Sequence, residues 1–268
     1  MVSSTSRLIR VQENGPVSVL KQTTILRPTP SPTQVLVKGS GDIIEVGSEV
    51  KQGFKVSDRV AFIASATYAD YVVVDTATLA KLPDHITYHQ GAALTIQGLT
   101  SWALVSKAYL IQKNDWIAIH AVAGGVGLIL SRIARRLEAH VIGTVFSEEK
   151  TVIARANGIE HVAVIPRNSG YELLEKKIAE LTADQGVHAV FDSIDRITFG
   201  ISFKIARRFN ITCLAAKNLK VIWASLNNYI KTPRREVGGF GWENKIKLEV
   251  SKINDFEDVQ QAHLDIES

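Results

Sequence analysis

The stretch HAVAGGVGLIL, residues 120–130, carries Gly124, Gly125 and Gly127 in an otherwise apolar run. Glycine in the first turn of a helix costs about 0.5–1 kcal/mol against alanine, so these residues must meet another need. A turn without Cβ atoms lets backbone N–H groups approach an anion, and the start of a following helix favours negative charge. The chemistry implied is the binding of a nucleotide phosphate. A tight strand–helix junction with no ligand is the alternative. Further on, Ser147 and Lys150 place a hydroxyl and an ammonium where a second phosphate could meet them.

These residues need a frame, and the flanking pattern supplies one. Trp116 to Ala121 reads as a strand, a helix runs from 127 to about Glu138, and HVIGTV (140–145) reads as a second strand. That is a βαβ unit with the glycines at its first turn. Leu130, Ile133, Ala134 and Leu137 have helical spacing and are expected on the sheet, with Arg132, Arg135 and Arg136 outward. A helix over 148–156 stops at Asn157-Gly158. Strand 161–165, helix 171–181, strand 188–192, a helix near 199–208 and strand 211–216 continue the alternation. Such alternation predicts a parallel sheet with right-handed crossovers.

The second strand bears on the nucleotide. An NAD site usually ends this strand with an acid that holds the ribose hydroxyls. Gly143 to Ser147 contains none, which favours NADP(H) over NAD(H). Ser147 also stands where it would cap the next helix, with Glu148 and Glu149 complementing the dipole. The two roles are compatible.

The first part of the chain is different. Arg7 to Val11, Val17 to Leu20, Val35 to Lys38, GSGDIIEVG, DRVAFIA and YADYVVVD read as short strands separated by turns, a small barrel or sandwich. The proline-rich RPTPSPTQ (27–34) cannot be a central strand. Residues 90–109 have a helical pattern, and Lys113-Asn114-Asp115 forms a turn. Near the end, IKLEV (246–250) looks like a strand and Asp255 is expected to cap a short last helix.

Composition narrows the class. The 268 residues are 46% hydrophobic and 22% charged, with a net charge of +4, as in a globular protein of one large or two ordinary domains. No apolar run approaches the ~20 residues of a membrane helix, and the first residues lack a signal peptide's apolar core. The cytoplasm is the expected location. The single cysteine, Cys213, excludes internal disulfides and multi-cysteine zinc sites. His85 and His89 have i, i+4 spacing but no third ligand nearby. The Tyr109/Lys113 pair precedes the glycine turn, opposite to its order in short-chain dehydrogenases. His120, beside the turn, reads as a satisfied core histidine. No GxxxxGK[ST] is present to support ATP or GTP hydrolysis. Arg132, Arg135, Arg136, Arg207, Arg208, Arg234 and Arg235 could form a basic surface for RNA, the rival reading without catalysis. Aromatic residues, at 7%, are not interleaved with them as a stacking platform would require.

The segments GDIIEVGSEVKQGFKVSDRVAFI, YADYVVVD, GAALTIQGLTSW, HAVAGGVGLILSRIARRLEAHVIGT, VFDSIDRITF and IKLEVSKINDFEDVQQAHLDIES span most of the chain. In them the sequence resembles the quinone oxidoreductase (zeta-crystallin-like) family of zinc-free medium-chain dehydrogenases/reductases. The resemblance implies an α/β fold, a Rossmann-type domain inserted in a truncated GroES-like β-barrel. It places a partial GroES-like domain at 1–88, the dinucleotide-binding domain at 89–230, and a return to the GroES-like domain at 231–268. It implies hydride transfer from NADPH to a quinone or activated alkene, with weak RNA binding and a homodimer as further expectations. By position it carries the pyrophosphate loop to Ala123, Gly124, Gly125, Val126 and Gly127, and the adenosine-phosphate contacts to Thr144, Ser147 and Lys150.

Several positions depart from the family pattern. Val122 stands where the family prefers alanine, and Ile165 where it often has a Tyr or His beside the adenine. Between Lys38 and Gly39 the family has several dozen more residues, among them an Asn and a Tyr that shape the nicotinamide and quinone pocket. The resemblance leads one to expect further segments after Ala216, near 233–245 and after Ser268.

Overall fold

The structure is a computed structural model, and it describes residues 3–165, 171–194, 198–206 and 255–267. The chain divides into two compact units. One is built from both ends, Met1–Ile96 with Thr232–Ser268, and the other from the middle, Gln97–Lys231.

In the first unit, β1 (Thr5–Arg10) pairs antiparallel with β2 (Lys21–Leu26). Val17 to Leu20, expected as a strand, is instead a 3-10 turn over Val17–Val19 behind Pro16, whose ring holds φ at −64°. No strand forms in the proline-rich stretch, and β3 (Gln34–Lys38) begins at its end. β3 lies between β4 (Ile43–Val46) and β6 (Tyr71–Asp75), antiparallel to both. β5 (Val60–Phe62) pairs with β7 (Leu79–Lys81), which is too short to show a period in the sequence. These strands bury a core of Val35, Val37, Ile43, Val60, Val72, Val74 and Leu79, joined by Phe54 from the loop before β5.

The turn from β3 to β4 spans the junction of Lys38 and Gly39, where the family resemblance implies an extra segment. The Lys38 N–H donates to the Asp42 carbonyl at 2.9 Å, and the Gly41 N–H to the Lys38 carbonyl at 2.7 Å. Gly41 has φ +104°, a conformation that L side chains rarely adopt. The Tyr88 hydroxyl donates to the Asp42 carboxylate at 2.5 Å, and the Arg59 guanidinium lies 4.6 Å over the Tyr88 ring.

Thr87 and Gln90 form a capping box that starts α1 (Tyr88–Ala93). The helical segment continues as π turns at Leu94–Gly98 and Leu104–Ala108 on either side of α2 (Leu99–Ala103).

In the second unit, β8 (Trp116–Ile119) leads through the glycine turn to α3 (Gly125–Arg136) and β9 (His140–Val145). Then follow α4 (Glu148–Ala156), β10 (His161–Val164), α5 (Tyr171–Thr182), β11 (Ala189–Phe191) and α6 (Phe199–Ile205). The four strands form one parallel sheet in the order β10-β9-β8-β11. Ala118, Ile142, Ile165, Leu174, Ile178, Ile201 and Ile205 pack together in one core cluster. On α3, Leu130, Ile133 and Ala134 are buried as expected, but Leu137 is 41% exposed. The helix has already ended at Arg136, so Leu137 no longer follows the apolar face.

A last helix, α7 (Val259–Glu267), follows a 3-10 turn over Phe256–Asp258. Asp255 precedes that turn without a side-chain capping bond, in place of the expected cap. The expected strands at 211–216 and 246–250, the end of the helix near 199–208, and Cys213 lie outside the described residues. Among the described residues, no helix is long and apolar enough to cross a membrane.

Candidate cofactor site

β8 ends two residues earlier than its apolar pattern suggests, because Ala121 takes a left-handed φ of 50° and turns the chain. The Gly124 N–H donates to the Ala121 carbonyl at 2.9 Å, and the helix's first bond runs from the Leu128 N–H to the Gly124 carbonyl at 2.9 Å. The N–H groups of Gly125, Val126 and Gly127 therefore precede the helical ladder. No side chain caps Gly124, and the first turn of α3 contains no acid. The positive end of the helix is left for an anion.

Two of the glycines have distinct steric reasons. A Cβ on Gly127 would lie 2.6 Å from the Ala121 carbonyl oxygen and 2.7 Å from the Val122 Cα, both backbone atoms. A Cβ on Gly125 would meet the end of the Gln97 side chain at 2.4 Å. Val122, the departure from the family's alanine, is fully buried against β9. A Cβ on Gly143 would come within 2.4 Å of its Cγ1, so Gly143 provides the room its isopropyl group needs. The Val122 N–H donates to the Thr144 carbonyl at 3.0 Å, which joins the glycine turn to the end of β9.

Ser147 occupies the N-cap position of α4 but makes no bond to its backbone. Its hydroxyl instead bonds the Glu149 carboxylate, which that bond, ahead of Glu149's own N–H, holds below its ordinary value. Lys150 is exposed in the first turn of α4. Ser147 and Lys150 both stand just past the end of β9, whereas Thr144 turns inward. Thr144 is buried, and its hydroxyl lies 2.9 Å from His120 Nδ1. In this arrangement it supports His120 and offers no hydroxyl to an adenosine phosphate. Ile165 is fully buried, so its side chain is part of the core.

A polar network not foreseen from the sequence continues from His120. His120 Nε2 lies 3.1 Å from Ser202 Oγ, and Ser202 Oγ donates to Asp192 Oδ2 at 2.7 Å. Asp192 Oδ1 accepts from Thr198 Oγ1 at 2.7 Å and from the Ile194 N–H at 3.0 Å. Burial pushes the His120 imidazole below its ordinary value, opposed by the charge of Asp192. Burial alone would raise the Asp192 carboxyl, but the bonds from Thr198, Ser202 and Ile194, with His120, hold it below the carboxylate range. No motif spacing announces this group, which draws on the ends of β8, β9 and β11 and on α6.

Other candidates have structural partners. The Tyr109 hydroxyl donates to Asp115, and Lys113 pairs with Glu138 at 2.6 Å. His85 precedes α1 while His89 lies within it, so the two do not share a helix face. Among the described residues, no group of three or more His, Cys, Asp or Glu could hold a metal ion. Arg132 bonds the Asn157 side chain, and Arg135 bonds the Asn157 carbonyl at 3.3 Å.

Comparison with known proteins bears on the family and the fold. A family model described as zinc-binding dehydrogenase matches residues 125–224. A probable quinone oxidoreductase of Schizosaccharomyces pombe is 28% identical over 97% of this chain and 93% of its own. Quinone oxidoreductase 1 of Escherichia coli is 32% identical over 91% of this chain and 81% of its own. The crystal structure of an Escherichia coli quinone oxidoreductase complexed with NADPH superposes with a TM-score of 0.85 at 26% identity, covering 97% of this chain and 96% of that one. The parallel sheet and the antiparallel strands of this chain belong to the fold of that crystallised relative. The chain belongs to the quinone oxidoreductase family, a family of oxidoreductase enzymes.

Proposed function

We propose that the chain binds NADPH on the glycine turn and the end of β9 and reduces a quinone or an activated alkene. The observation that carries this reading is the uncapped, acid-free start of α3 beside the end of β9, where Gly143 to Ser147 contains no acid and Lys150 follows in the first turn of α4. The crystallised Escherichia coli relative holds NADPH, which supports the same cofactor here. Glycine at 125 keeps the helix start clear for a pyrophosphate, and glycine at 127 lets the turn close on the backbone of Ala121 and Val122.

In this reading the N–H groups of Gly125, Val126 and Gly127 hold the pyrophosphate, with Ala123 and Gly124 shaping the turn. Ser147 and Lys150 hold the 2′-phosphate, and Thr144 steadies the strand end through His120. The bound cofactor supplies the hydride, and the protein supplies position and charge. Arg132 and Arg135 are engaged with Asn157, and Arg207, Arg208, Arg234 and Arg235 lie outside the described residues, so among the described residues no observation favours RNA as a second reading.

Charge-assisted bonds to the 2′-phosphate, each worth about 1.5–3 kcal/mol, have no counterpart in NADH. Titration calorimetry should show NADPH binding about tenfold or more tighter than NADH. Lys150→Ala should shrink that difference. Equal affinities in the parent protein would overturn the assignment.

A further inference from the structure

The order of the sheet decides where each half of a dinucleotide must lie. β8 carries the glycine turn, with β9 on one side and β11 on the other. With the pyrophosphate at the start of α3 and the adenosine phosphate at the end of β9, the second half has to cross to the end of β11. Ligands of such sheets lie at this switch of strand order, beyond the strands' carboxyl ends.

A cavity of about 50 Å³ is found there, lined by His120, Val126, Gly127, Phe191, Asp192 and Ser193 among others. Among the described residues, Asp192 is the one acidic residue lining it, and it stands immediately past the end of β11 and is exposed. A carboxylate beside a pyrophosphate is a puzzle, because the two repel. Its fixation is equally pronounced: Thr198, Ser202 and the Ile194 N–H all donate to it, and Ser202 is in turn held by His120. A rigid anion at this place cannot serve a phosphate. It can serve a hydroxyl group, which donates a charge-assisted hydrogen bond to it.

We propose that Asp192 accepts a hydrogen bond from the ribose on the nicotinamide side of the cofactor, and so selects a whole dinucleotide over its adenosine half. The proposal rests on the NADPH reading above. Ser202 and His120 are positioning residues that aim the carboxylate.

The test is calorimetry on the parent chain and on Asp192→Asn, each with NADPH and with adenosine 2′,5′-bisphosphate, which lacks the second ribose. Asp192→Asn should weaken NADPH about tenfold, as expected for a hydrogen bond to a charged group, and leave the fragment unchanged. Equal weakening of both ligands would make Asp192 a purely structural residue and overturn the proposal, as would unchanged binding of both. A second measurement needs no variant: an NADPH analogue without the 2′-hydroxyl of the nicotinamide ribose, and one without the 3′-hydroxyl, are titrated into the parent. One of them should bind about tenfold more weakly than NADPH. Two analogues binding as NADPH does would overturn the proposal while leaving the cofactor reading intact. Failure of the parent to bind either NADPH or the bisphosphate would overturn the cofactor reading itself, and the proposal with it.

Discussion

Gly125 and Gly127 are two positions apart in one turn, yet their missing side chains do different work. A methyl group on Gly127 would press on the backbone at Ala121 and Val122, which cannot yield without moving the turn. Gly127→Ala should therefore lower stability by about 1–3 kcal/mol and weaken NADPH as a consequence. A methyl group on Gly125 meets only the end of Gln97, which can swing aside, but it stands at the helix start where a phosphate would approach. Gly125→Ala should lose NADPH affinity about tenfold or more with little change in melting temperature. Paired thermal melts and calorimetry would separate the two, and a loss of stability in Gly125→Ala equal to that in Gly127→Ala would contradict this account. The glycine pattern in the sequence pointed to the turn but could not divide its labour, because the obstructing groups lie at 97, 121 and 122. For the same reason Thr144 could not be told from Ser147. Both are hydroxyl residues near the end of one strand, and only the position of His120 shows that Thr144 faces inward.

At the level of elements, the βαβ unit was the most legible part of the chain. The strand at 140–145 and the helix at 148–156 have the bounds that their alternating and helical patterns imply. Legibility failed where a few residues or a distant partner decided the outcome. Pro16 converts the apolar run at 17–20 into a turn, and β7 is three residues long. Asp192 and Ser202 meet His120 only once β8 and β11 are paired and α6 is packed beside them. That network has a pH signature. His120 is buried and held below its ordinary value of 6.5, so as pH falls the unfolded chain takes up a proton before the folded one. Its contribution to stability is complete above about 6.5 and is lost as pH falls from there through the folded value. Each unit of depression corresponds to about 1.4 kcal/mol. Asp192, also depressed, acts in the same direction but below about 3.8. The melting temperature should therefore fall between pH 7.5 and 5.5 (about two units spanning the histidine's ordinary range), and His120→Gln should flatten the slope. An identical slope in the variant would assign the pH dependence to other groups.

For the molecule as a whole, binding and turnover are expected to part company. The residues assigned to the pyrophosphate and the 2′-phosphate lie in an uninterrupted stretch of chain from β8 to α4. The alignment with the Schizosaccharomyces pombe relative runs over 314 positions, more than the 268 residues of this chain, so that relative carries segments this one lacks. One place where the family resemblance implies such a segment is the junction of Lys38 and Gly39, where β3 passes straight into β4 through a turn closed by Gly41. The implied Asn and Tyr of the nicotinamide and quinone pocket belong to that segment. Hydride transfer needs donor and acceptor within about 3–3.5 Å in an aligned pose, and a displacement of ~1 Å can cost about a hundredfold in rate. NADPH at a hundred times its dissociation constant should stabilise the protein by about 2.7 kcal/mol, read as a rise in melting temperature. Oxidation of NADPH with a small para-quinone should be about a hundredfold or more slower than that of the Escherichia coli relative assayed alongside it. Matching rates would show that a tight turn can replace the segment, and that the cofactor and the remaining residues suffice to align the quinone.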